Sequence, residues 1–148
     1  MSRGVTIKMS GFKELERALG ELKVTTAKNI ARRGLKEALE PVAEAARARV
    51  PTLSGDLAES ITVTTKNPKR NRKQSQIEAH VGPGRHPQGP QTEFGNRNHG
   101  PQPYMRPAWE EEKHGVLNSL AGIIGEEIDK AAARAARKAA RAAAKAGA

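Results

Sequence analysis

Val5, Ile7 and Met9 alternate with polar residues at the head of the chain, so residues 4 to 9 are expected as a half-buried strand. Ser10 can then cap a helix, because the period lengthens. Phe12, Leu15, Leu19 and Leu22 recur at helical spacing, with Lys and Glu on the other face, which predicts a short amphipathic helix ending near residue 22. From Thr26 to Val50 the apolar positions Ile30, Leu35, Leu39, Val42, Ala46 and Val50 predict a second, longer helix. Pro41 falls inside it, so a kink near Ala38 or two helices meeting there is expected. Pro51 pushes Val50 out of the helical region and helps to end the element.

Ser54, Gly55 and Asp56 can form a short helical turn ahead of an alternating strand at Ile61, Val63 and Thr65, whose expected partner carries Ile77, Ala79 and Val81. The connection between them holds Lys66, Lys69, Arg70, Arg72 and Lys73 around Asn67 and Pro68, with no acid, and is expected as an exposed hairpin tip. Residues 82 to 103 are dense in Gly and Pro and are expected as one long loop without regular structure. Most of the few aromatics, Phe94, Tyr104 and Trp109, cluster in and just after it.

Pro107 suits the first position of a final helix, Glu110, Glu111 and Glu112 suit its positive end, and Val116, Leu117, Leu120, Ile123, Ile124 and Ile128 form its apolar stripe. Beyond Asp129 the composition turns to Ala with Lys130, Arg134, Arg137, Lys138, Arg141 and Lys145, which at helical spacing share one face. In register, that face partly overlies the apolar stripe, so the tail is expected to leave the core. The resulting fold class is α+β: a small antiparallel sheet packed against a long kinked helix and a C-terminal helix, with a Gly/Pro-rich loop. Residues 1–129 are expected as a single domain and 130–148 as a basic helical extension.

Composition narrows the functional classes. The 148 residues are 36% hydrophobic but only 3% aromatic, so the core must be thin, and assembly with other subunits becomes attractive. Cysteine is absent, which removes disulfides, thiolate metal sites and cysteine nucleophiles. A formal charge of +10 favours phosphates or acidic protein surfaces as partners. The first residues lack a secretory apolar run, and no stretch approaches a membrane span, so a soluble cytoplasmic product is expected, with no membrane partner.

Candidate chemistry is sparse. His80, His86, His99 and His114 match no metal-ligand spacing and are expected at the surface, with no metal or other cofactor. Ser54, Asp56, Glu59 and Glu93 form no nucleophile elbow and no two-metal cluster, so neither catalysis nor a small-molecule substrate is expected. Glu93 and Arg106 are expected as an ion pair tying the loop to the last helix, with Phe94 and Tyr104 packed beneath.

One family joins these segments. The succession of Pro51-Thr-Leu-Ser-Gly-Asp-Leu57, Ser60-Ile61, Val81-Gly82, Glu93-Phe94-Gly95 and Pro103-Tyr-Met-Arg-Pro-Ala108 resembles the minor tail proteins of long-tailed bacteriophages that act in tail completion and head-tail joining, over about residues 4 to 128. Asn96 stands where such proteins usually carry threonine, and the Ala/Lys/Arg tail has no obvious counterpart among them. The resemblance implies a structural protein at the virion neck or upper tail, assembled in the host cytoplasm. It also implies a ring, expected as a hexamer, through which DNA passes, and neighbouring neck or tail proteins as partners. Glu93, Phe94, Gly95, Tyr104, Met105, Arg106 and Trp109 are then the candidate contact between subunits or rings. Lys66, Lys69, Arg70, Arg72, Lys73 and the six cations from Lys130 to Lys145 are the candidates to face double-stranded DNA or an acidic partner. The alternative is a nonspecific nucleic-acid-binding protein that uses the basic C-terminal helix.

Overall fold

The computed structural model describes residues 13, 16, 17, 20, 22–51, 55–70 and 74–147. The strand expected at residues 4 to 9 lies outside these, as do Phe12, Leu15 and Leu19 of the first expected helix. Helix α1 runs over Val24–Arg49 and buries Ile30, Gly34, Ala38, Leu39, Val42, Ala43 and Ala46. Small residues dominate that stripe, and Leu35, expected within it, is only half-buried. They allow the C-terminal helix close: a Cβ on Gly34 would stand 2.8 Å from Ile124 Cγ1. Pro41 does not divide α1 into two helices. Its ring is exposed, as is Glu37 one turn earlier, so the carbonyl that loses its donor can turn to water while the buried face holds the helix together. Val50 then takes an extended conformation, φ −66° and ψ 131°, ahead of Pro51.

A short helix α2 (Asp56–Ser60) leads to strand β1 (Thr62–Thr64), which pairs antiparallel with β2 (His80–Gly82) so that Val63 lies opposite Val81. The ladder is shorter than the apolar alternation implies. Ile61 is fully buried, yet its carbonyl accepts from Arg47 Nε at 3.0 Å and Nη2 at 2.7 Å instead of entering the sheet. Thr65, Ile77 and Ala79 likewise lie outside the strands. Arg47 also reaches Glu40 at 3.1 Å, so one side chain fastens the entrance of β1 to α1.

Helix α4 covers Met105–Ala146, 42 residues or about 63 Å. It runs antiparallel to α1, because Arg33 pairs with Glu127 at 2.7 Å while Arg49 pairs with Glu111 at the other end. Pro107 is its third residue rather than its first; the missing N–H is harmless there too, because the opening turn has no intrahelical acceptors. The tail does not break away at residue 130. The helix continues in register, Ala131 is still buried, and every position from 132 to 147 is exposed. Fifteen residues, 132–146, therefore overhang the body by about 22 Å. Among the described residues two apolar clusters result: a larger one around Val42, Ile61 and Tyr104, and a smaller one of Ile30, Ile124 and Ala131 joined by half-buried Leu22, Leu120 and Ile128.

Candidate functional site

The stretch expected as a structureless loop contains helix α3 (Gln88–Phe94). Gly89 and Pro90 sit in its first turn, where the absent proline N–H costs nothing, and the other breakers fall outside the helix. Gly95, at φ +79°, ends it with its N–H on Gln91 O at 2.8 Å. Asn96 accepts from the backbone of Asn98 and His99 through its side chain, at 2.8 and 3.0 Å, and Gln102 N–H returns to Thr92 O at 2.8 Å. This reversal lays residues 104–106 directly on Glu93.

Glu93 is 4% exposed, and its carboxylate accepts from the backbone N–H of Tyr104 at 2.8 Å, Met105 at 2.9 Å and Arg106 at 3.1 Å. A carboxylate from α3 thus caps α4, supplying acceptors for donors that have no intrahelical partner and placing negative charge at the positive end of the dipole. Glu110 to Glu112 lie a turn further on and do not serve this end. Burial alone opposes ionisation of Glu93, but the backbone bonds from Met105, Tyr104 and Arg106, joined by the Arg106 guanidinium, hold its carboxyl below the ordinary value. Tyr104, 1% exposed, donates its hydroxyl to Gly89 O at 3.1 Å. Burial, helped by the Glu93 charge, pushes that phenol's pKa up.

The ion pair between Glu93 and Arg106 is present, with Nε 3.2 Å from Oε1. Phe94 is not packed beneath it. The ring is 66% exposed, and the Arg106 guanidinium lies 5.1 Å from its centroid on the outside of the molecule. The cause is helical geometry: Glu93 points inward to the cap, which turns its neighbour outward. Trp109, 44% exposed, follows one turn after Arg106 on the same side of α4. Among the seven residues expected at an interface, Phe94, Arg106 and Trp109 offer surface, Glu93, Gly95 and Tyr104 build the frame behind it, and Met105 packs on the core.

The candidate cations are exposed wherever the structure describes them: Lys66, Lys69 and Arg70 in the β1–β2 connection and Arg134, Arg137, Lys138, Arg141 and Lys145 on the overhang. Arg72 and Lys73 lie outside the described residues, and Lys130 stands 3.5 Å from Glu127. The α1–α4 ion pairs place the start of the overhang beside the start of α1, while the aromatic patch sits near the far end. Arg106 and Lys130 are about 36 Å apart along α4.

Among the histidines, His80 Nε2 lies 3.1 Å from Glu78, His86 Nδ1 accepts from Gln88 N–H at 3.3 Å, His99 Nδ1 lies 3.0 Å from Gly100 O, and His114 is exposed. Sequence reasoning misses the cap itself, because a carboxylate eleven residues before its first donor has no local spacing signature of the capping-box kind. The family model described as "Bacteriophage HK97-gp10, putative tail-component" matches residues 13–95, a span that ends at the chain reversal. No curated protein and no solved structure matches the chain.

Proposed function

Because the chain belongs to the HK97-gp10-like family of bacteriophage tail components, we propose that it is a structural, non-catalytic virion protein of the neck or upper tail. In this reading it completes the tail and joins it to the head as a ring of subunits, expected to be six, through which DNA passes. Assembly takes place in the host cytoplasm, and neighbouring neck or tail proteins meet the ring's faces.

The observation that carries this reading is the exposed Phe94–Arg106–Trp109 patch on a rigid frame. Aromatic and arginine side chains dominate protein contacts when their geometry is preset, and here the Glu93 cap presets it. A patch of this kind facing a different surface of the next copy gives a head-to-tail contact that closes into a ring when the rotation permits.

Sedimentation of nuclease-treated protein across a wide concentration range, with electron microscopy of the large species, tests the assignment. Wild-type protein is expected to form closed rings. Phe94→Ala with Trp109→Ala is expected to stay monomeric with an unchanged unfolding midpoint, since both rings are exposed in the subunit. Equal assembly by the double variant removes the patch from the interface.

The overhang favours contact with duplex DNA as well. Ending the chain after Ala131 removes five exposed cations but no buried side chain. The truncated protein is expected to unfold at the wild-type midpoint, while its log-log slope of duplex affinity against salt becomes shallower by up to about 4. An unchanged slope reassigns the overhang to an acidic protein neighbour. Tight duplex binding by a strict monomer, abolished by the truncation, selects the alternative of a nonspecific nucleic-acid-binding protein.

A further inference from the structure

A second cationic feature emerges only after folding. Lys28 and Arg32 are one turn apart on α1, and the chain leaving β1 returns alongside them. Between the two elements is a cleft of about 400 Å³ lined by Lys28, Arg32, Thr65, Asn67, Ser75 and Gln76. Asn67 Nδ2 donates to Ser75 O at 2.8 Å and holds the two arms of the connection together at this level. None of the six lining residues is acidic; the nearest carboxylate the wall touches is Glu78, which accepts from the Ser75 hydroxyl and pairs with His80.

Two cations beside the Thr65 hydroxyl and the Gln76 amide provide charge together with directional donors, which suits an oxyanion with several oxygens. Lysine and arginine one helical turn apart can reach two oxygens of one phosphate or bridge successive phosphates. Lys66, Lys69 and Arg70 continue the positive charge along the same connection. Arg33, the next residue after Arg32, pairs with Glu127 one turn before Ala131, so the basic overhang starts at this same end of the molecule.

We infer that the cleft between α1 and the β1–β2 connection binds phosphodiester groups and grips the backbone of duplex DNA. The choice of duplex DNA rests on the structural reading above; the anion chemistry of the cleft does not. The lining presents no aromatic side chain for base stacking, so the grip is independent of base sequence. The cleft supplies a fixed point of contact, and the overhang adds a longer basic track.

The test uses the full chain and a short labelled duplex, with binding followed by fluorescence anisotropy over a range of salt and sedimentation run on the same samples. Lys28→Gln with Arg32→Gln is expected to weaken duplex binding about tenfold and to make the salt slope shallower by about 2. Arg85→Gln with Arg97→Gln removes the same charge from exposed sites away from the cleft and is expected to change both much less. Lys28→Arg with Arg32→Lys is expected to restore the wild-type slope, which separates a charge-based grip from a packing defect. Equal losses in the Lys28/Arg32 and Arg85/Arg97 variants overturn the proposal, because the effect is then one of net charge. Binding of inorganic phosphate that depends on Lys28 and Arg32, with duplex affinity unchanged, also overturns it by making the cleft a free-anion site. Sedimentation reports ring formation independently, so a grip without rings and rings without a grip are told apart.

Discussion

Replacing Glu93 by alanine is expected to lower the unfolding free energy by about 3 kcal/mol, read from the denaturant midpoint at neutral pH. The substitution removes the shared acceptor of three backbone donors and leaves Arg106 without its carboxylate partner. A typical surface ion pair contributes well under this, so the backbone donors decide the magnitude and the Arg106 contact adds little. Glutamine keeps one carbonyl acceptor but turns an amide N–H₂ toward donors and loses the charge, so Glu93→Gln is expected to cost about half as much.

The two states of the carboxyl give this prediction a pH signature. Folding holds Glu93 below its ordinary value of 4.5, so the contribution is complete above that value and is lost as pH falls through the lower folded value. The unfolded chain binds more protons in that window, hence stability drops on acidification. Glu93→Gln has no proton to bind at this site and is expected to show a shallower decline between neutral and acid pH. Parallel curves for the two proteins would place the acid sensitivity elsewhere.

Gly95→Ala is expected to be as damaging as loss of the cap, about 3 kcal/mol or more. At φ +79° and ψ 170° the residue occupies a region open almost only to glycine. An added Cβ would also stand 2.8 Å from Pro101 N and 3.1 Å from Gly100 C, both backbone atoms that cannot rotate aside. At Gly34, by contrast, φ is ordinary and an added Cβ meets side-chain rather than backbone atoms, but the nearest is Cγ1 of the buried, β-branched Ile124, so the two long helices would have to move apart. Because the Gly95 turn brings residues 104–106 onto Glu93, the two substitutions damage one unit. A double-mutant cycle of Glu93→Gln with Gly95→Ala is therefore expected to be non-additive, the pair costing less than the sum. Additivity to within about 0.5 kcal/mol would show that the turn and the cap are independent.

These two residues also show how far sequence reasoning reaches. The pairing of Glu93 with Arg106 is legible because two oppositely charged residues flank a Gly/Pro stretch with aromatics between them. The cap is not, because its donors are backbone groups whose position depends on a reversal through Gly95 and Asn96. The same limit explains α3: counting glycine and proline predicts a loop, whereas Pro90 is harmless in the first turn and Glu93 and Gly89 are held by contacts with residues 104–106 and with the Tyr104 hydroxyl. Phe94 follows from that, since a helix that points Glu93 inward points the next residue out.

Periodicity and punctuation by themselves determined the long first helix and its end before Pro51, the helical turn at Asp56, the partnership of a strand through Val63 with one through Val81 though not its register, and the apolar stripe of the last helix. Those features depend on spacing within one segment, and a side chain's face follows from its position alone. The resemblance to tail proteins came instead from the order of the short motifs between Pro51 and Ala108, and helical spacing gave the reading of the tail as a basic helix. Tertiary structure alone decided that the last helix continues unbroken past Ala131, that Leu35 yields to Gly34 at the helix contact, and that the Ile61 carbonyl belongs to Arg47. It also brought Lys28 and Arg32 to the β1–β2 connection. Each of these depends on groups far apart in the chain competing for the same acceptor or the same space, and no local pattern records which of them arrives.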